Sequence, residues 1–177
     1  HYSPQADFAL QPAGDAATQA RRLRSTRSLW DPTYVDESWI AEPARLIPRM
    51  RDWVATRYPG TKLAMTEYNW GAYEHINGAR AHADVLGIFG REGLDLATLW
   101  TAPAMNEPVA FAFRMFRNYD GDGGSFGQTS VRAQSTDQGR VAVYAAETSG
   151  GGLTVLLINK TVTTLSCPLS IASAGGA

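Results

Sequence analysis

The stretch Lys62–Tyr73, KLAMTEYNWGAY, sets a short apolar run directly against Glu, Tyr, Asn and Trp. Its first seven residues have the length and composition of a strand covered on both faces. Side chains of a strand alternate between faces, so Leu63, Met65 and Glu67 are predicted on one side and Ala64, Thr66 and Tyr68 on the other. If Leu63 and Met65 point into a parallel barrel, Glu67 arrives at its carboxyl rim, where such folds keep their chemistry. The structural alternative is an ion pair of Glu67 with Lys62 or Arg91.

Working outward, the same alternation of elements continues on both sides. Before the strand, Ile40, Ala44, Ile47, Met50 and Val54 recur at steps of three and four and predict a helix. Pro43 sits in its first turn, Pro48 is read as a kink or division, and Pro59-Gly60 ends it. After the strand, Ile76, Ala79, Ala83, Leu86 and Phe89 predict a helix over 75–91, with Gly93 as its stop. LDLATLW, Leu94–Trp100, is a second short strand whose Leu94, Leu96, Thr98 and Trp100 share a face. Asn106 is read as the N-cap of a further helix, with Pro108 in its first turn and Val109, Phe113 and Phe116 on one side.

Residues 30–118 thus read helix, strand, helix, strand, helix, the pattern of parallel strands with crossover helices. The Gly-rich NYDGDGGSFG then breaks it. Beyond lie only strand signals: TSVRAQ, RVAVYAAE, LTVLLINK and LSCPLSI. An antiparallel sheet or part of a sandwich is expected there.

Composition narrows the function classes. Of 177 residues 44% are hydrophobic, enough for a core. Lys plus Arg number 16 and Asp plus Glu 17, so no basic surplus exists to neutralise phosphates, and nucleic acid is not expected as a partner. No apolar run approaches the roughly 20 residues of a membrane helix, so no membrane partner is expected. The lone Cys167 forms no internal disulfide. The opening HYSP has the look of a strand tail, and the N-terminal part of a larger protein is expected upstream.

Two neighbouring strands that deliver a carboxylate and an indole to one rim suit sugar chemistry. Sugar rings stack on aromatic faces, and a retaining glycosidase uses two carboxyl groups roughly 5–5.5 Å apart. At this point the motifs themselves are informative. TEYNWG, followed by HINGARAHADVLGIFGREGLDLATLW and AFAFRMFRNYDGDGGSFG, resembles glycoside hydrolase family 44, as do HYSPQ and RSLWDPTYVDESWI. The likeness runs from His1 to about residue 160.

The resemblance implies an α/β fold, the C-terminal part of a (β/α)8 TIM barrel followed by a β-sandwich segment. The divisions are then 1–118, carrying barrel strands seven and eight, and 119–177. It implies a retaining endo-β-1,4-glucanase acting on cellulose-type β-glucans or xyloglucan, secreted, with no cofactor. Glu67 becomes the nucleophile and Trp100 the aromatic floor. Trp30 is carried over as a cleft wall and Tyr2 as a cleft residue, although Ser3 departs from the family's second Tyr. The acid/base, a Glu following an Asn at the end of the fourth strand, lies upstream of His1. The chain's partners would be a β-glucan and the missing N-terminal part of its own barrel, and the isolated chain is expected to be inactive.

Other signals are weighed and set aside. Glu107 in MNEP follows the nucleophile and reads as a helix start. His75 and His82 lack a third ligand for zinc, and DGDGGS lacks the rest of a calcium loop, so no metal is expected. NKT, Asn159–Thr161, fits a glycosylation sequon at a strand end. Trp39 and Trp53 are read as packing, whereas Trp70, just past Glu67, is kept as a substrate contact. The rival reading is a non-catalytic carbohydrate-binding or scaffold segment built on the β-rich tail, where Tyr144 is the main aromatic.

Overall fold

The computed structural model describes residues 9–172. Five helix and strand elements follow one another as the periodicity predicts, after one helix that it does not show. That first helix, α1 (Ala16–Ser25), runs into a 3₁₀ turn at Thr26–Leu29. Asp15 caps α1 by accepting from the Thr18 N–H at 2.8 Å. Its buried residues are Arg22, Leu23 and Ser25, so most of its inward stripe is polar.

Helix α2 (Leu46–Arg57) begins later than predicted and leaves Ile40 and Ala44 outside. Pro48 then falls in the first turn, where its missing N–H has no intrahelical partner to lose, so no kink is required. Strand β1 (Ala64–Tyr68) follows, then α3 (Ile76–Glu92), β2 (Leu96–Leu99) and α4 (Pro108–Arg117). Gly93 ends α3 in the left-handed region at φ 66°, and its N–H returns to the Gly90 carbonyl. The N-cap of α4 is Glu107 rather than Asn106, with Pro108 opening the helix.

β1 and β2 pair in parallel across α3, which is the α/β pattern. A second sheet is antiparallel, in the order β3 (Thr129–Val131), β4 (Val141–Glu147), β5 (Leu153–Asn159). Of the four strand signals in this part, TSVRAQ shortens to three residues and LSCPLSI forms no strand.

α3 is the centre of the core. Ala81, His82, Val85 and Ile88 have no exposure, and α1, α4 and all three antiparallel strands pack around the helix. Fully burying a Val or Ile contributes about 1.5–3 kcal/mol. Gly87 permits the closest approach: a Cβ there would stand 2.3 Å from the Tyr144 ring. Beside it, buried Asp84 gathers the Tyr144 hydroxyl at 2.6 Å, the Thr26 hydroxyl at 2.6 Å and the Lys160 ammonium at 2.7 Å. One carboxylate therefore ties α3 to the 3₁₀ turn and to the antiparallel sheet.

Candidate active site

The carboxyl ends of β1 and β2 meet at one lip. Ala64 pairs with Leu96 and Met65 with Ala97, but the next pair is Tyr68 with Leu99. Three steps on β1 match two on β2, so β1 carries one extra residue, a β-bulge. Glu67 takes up the irregularity at φ 62°. For a residue with a side chain this left-handed conformation costs about 1–2 kcal/mol.

The bulge corrects the predicted alternation. Met65 and Tyr68, which simple alternation puts on opposite faces, are both buried, while Ala64, Thr66 and Glu67 are exposed. Met65 and Tyr68 join the core cluster, with Tyr68 edge-on to Phe89 at 5.1 Å. Glu67 therefore does not share the face of Met65. On β2 the alternation holds: Leu96, Thr98 and Trp100 are exposed, Ala97 and Leu99 half-buried. The Glu67 N–H points to the Thr98 hydroxyl at 3.4 Å, and the Trp100 N–H donates to the Tyr68 carbonyl at 3.0 Å. Trp100 is 51% exposed. The carboxylate-bearing turn of β1 and the indole-bearing end of β2 thus lie side by side.

Behind them runs a polar network that the sequence reading did not single out. Asn69 accepts from the Gly71 N–H at 2.6 Å and donates to the Tyr73 hydroxyl at 3.0 Å. That hydroxyl donates in turn to the Thr101 carbonyl at 2.8 Å. Burial pushes the Tyr73 phenol up to about 12. The usable signal was positional: polar side chains immediately after two strand ends.

The other predicted contacts divide. Tyr2 lies outside the described residues. Trp70 is corrected: it has 0% exposure, and its indole N–H donates to the Ser25 hydroxyl at 3.0 Å. It anchors the loop from inside the core and presents no face to a ligand. Trp30 is corrected too. The Arg91 guanidinium lies over its ring at 4.3 Å, in the last turn of α3. Just beyond, the Asp95 N–H donates to the Leu63 carbonyl at the start of β1. Trp30 therefore packs on the last turn of α3, the end of that helix from which the chain enters β2. The same placement removes Arg91 as the ion-pair partner of Glu67, since it pairs with Glu92 at 2.8 Å. Trp39 and Trp53, read as packing, are exposed.

The set-aside motifs find ordinary roles. His75 caps α3 by accepting from the Asn77 N–H. His82 is buried, with burial lowering its pKa to about 4, and its Nδ1 lies 2.8 Å from the Gly78 carbonyl. Glu107 accepts from the Ala104 N–H at 2.7 Å in the turn before α4. Asp120 accepts from the Asp122 and Gly124 N–H groups, which closes the Gly-rich turn. Among the described residues no group of three or more His, Cys, Asp or Glu is placed to hold a metal ion, and no helix is long and apolar enough to cross a membrane.

Parallel strands joined by a buried helix, with an acid and an indole at their carboxyl ends, define an α/β unit whose candidate residues lie at the rim where such folds carry chemistry. The comparisons give it a family. The chain is 38% identical over 171 residues to endoglucanase A of Paenibacillus lautus, covering 90% of this chain and 24% of that protein. A crystal structure of a bifunctional glucanase-xylanase from a metagenome library superposes with a TM-score of 0.88 at 53% identity, covering 93% of this chain and 32% of the other. A Paenibacillus polymyxa xyloglucanase from glycoside hydrolase family 44 superposes with a TM-score of 0.78 at 39% identity, covering 84% and 30%. No family model matches the chain. The chain is a segment of glycoside hydrolase family 44, and it spans a third or less of the length of these relatives.

Proposed function

We propose that this chain is the C-terminal part of the catalytic region of a retaining endo-β-1,4-glucanase acting on cellulose-type β-glucans or xyloglucan. Residues 1–118 are then the last strands of a (β/α)8 barrel and residues 119–177 part of a β-sandwich. Glu67 is the nucleophile, Trp100 the floor beneath the sugar that is cleaved, and Tyr2 a further cleft residue. The acid/base comes from outside these 177 residues, roughly 5–5.5 Å from the Glu67 carboxyl. The enzyme works outside the cell, where such polysaccharides are found.

The observation that carries this reading is the adjacency of the two strand ends. The Glu67 bulge abuts Thr98, and the backbone of Trp100 bonds the residue that follows Glu67. An exposed carboxylate on a strained, tightly placed backbone is the arrangement in which strain accompanies function. The rival carbohydrate-binding tail loses its main aromatic, since Tyr144 is 3% exposed and packs on α3.

Glu67→Gln in the full-length protein tests the assignment. Turnover of xyloglucan or carboxymethylcellulose is expected to fall by at least about 10³-fold, with oligosaccharide binding retained by calorimetry. Turnover within tenfold of wild type removes Glu67 as nucleophile.

A further inference from the structure

One hydroxyl spans the two loops that carry the candidate chemistry. Tyr73 Oη uses both of its hydrogen-bonding capacities across that gap: it accepts from Asn69 Nδ2 at 3.0 Å and donates to the Thr101 carbonyl at 2.8 Å. Asn69 is two residues beyond Glu67, and Thr101 is the residue after Trp100. Asn69 is itself 2% exposed and held at its other end by the Gly71 N–H.

Tyr73 itself lies in the loop between β1 and α3, and two contacts outside that loop hold it in place. It stands edge-on to buried His82 of α3 at 5.4 Å, and its own carbonyl accepts from the Val109 N–H in the first turn of α4 at 3.3 Å. The Glu67 loop is therefore braced on the helix layer at Tyr73, and the Trp100 loop is tied to it through the hydroxyl. Glu67 gives such a brace a purpose. A left-handed glutamate persists only where its surroundings over-determine it, and the ties of the loop that follows are among those surroundings. A backbone bond also joins the lips, from the Trp100 N–H to the Tyr68 carbonyl on the near side of Asn69.

We propose that Tyr73 is a positioning residue of the hydrolytic site: its hydroxyl locks the Glu67 loop to the Trp100 loop, so that nucleophile and aromatic floor keep one spacing. The proposal rests on the reading of Glu67 as nucleophile. In this role Tyr73 acts through Glu67 and not on the sugar itself. It acts by limiting the geometries available to the Glu67 carboxylate, and a misplacement of an ångström at a reacting centre is costly.

Tyr73→Phe in the full-length enzyme removes the hydroxyl and keeps the ring. The probe is a 2-deoxy-2-fluoro cello-oligosaccharide with a good leaving group. It forms the glycosyl-enzyme ester on the nucleophile and releases that leaving group, but hydrolyses the ester slowly. The first-order rate of ester formation is a rate per folded molecule, which a merely structural loss of folded protein does not change. A roughly tenfold slower rate is expected for Tyr73→Phe, with wild-type pH dependence. A rate within twofold of wild type overturns the proposal, whatever happens to Tm. Peptide mapping of the labelled wild-type enzyme keeps the two readings apart. Label on a residue other than Glu67 removes the nucleophile assignment and this proposal together. Label on Glu67 with an unaltered Tyr73→Phe rate removes this proposal alone.

Discussion

Lys160→Met tests how the antiparallel sheet is joined to α3. Lys160 and Asp84 are both 2% exposed at their side chains, and the ammonium lies 2.7 Å from the carboxylate. The two hydroxyls at Asp84, from Thr26 and Tyr144, cannot neutralise it once the ammonium is gone. Removing one partner of such a buried pair typically costs about 3–5 kcal/mol, chiefly because the remaining charge is stranded in a poorly polarisable interior. A unit of this size loses about 2–4 °C in Tm per kcal/mol, so a drop of roughly 10 °C is expected. Adding Asp84→Asn replaces the stranded charge by a neutral amide, which can still meet the Tyr144 hydroxyl. The double variant is therefore expected to be more stable than Lys160→Met alone, the reverse of additivity. Urea unfolding of the full-length protein, followed by tryptophan fluorescence and circular dichroism, measures both. A Lys160→Met cost under about 1 kcal/mol, or a double variant less stable than Lys160→Met alone, refutes the reasoning.

Further outcomes follow from the same geometry. His82 is held neutral with a pKa of about 4 against an ordinary 6.5. Below pH 6.5 the unfolded chain takes up a proton that the folded one refuses, so this contribution is complete above 6.5 and is lost as pH falls to 4. It amounts to about 3 kcal/mol, and His82→Asn should flatten the stability–pH curve in that window. Gly87→Ala places a Cβ against the Tyr144 ring and should cost at least about 1–3 kcal/mol, read as a lower urea midpoint. Trp100→Ala should weaken oligosaccharide binding, whereas Trp30→Ala should leave it unchanged and lower stability through the lost contact with Arg91, a distinction calorimetry and thermal melts make directly. On the reading that places the acid/base outside them, the 177 residues alone should show no turnover of carboxymethylcellulose in a reducing-sugar assay.

The sequence by itself determined the order of helix and strand from α2 to α4. The 3.6-residue apolar spacing of α3, its Gly93 stop and the Pro108 start are local signals, and each reports its own element. It also placed Glu67 and Trp100 at strand ends, because the apolar runs stop there. It did not show α1, because the face that helix buries carries Arg22 and Ser25, whose burial depends in part on partners far along the chain. The Arg22 guanidinium, for one, donates to the Trp70 carbonyl and to the Asn77 side-chain oxygen. A polar stripe is invisible to a search for apolar period.

Only the tertiary structure decided the faces. The extra residue in β1 arises from pairing with β2, and pairing between segments some thirty residues apart leaves no mark in the alternation of either one. Trp30 and Trp70 were separated from the cleft for the same reason. One-dimensional proximity to a motif says nothing of which end of a 17-residue helix a ring reaches, or whether its faces are already taken up by the core.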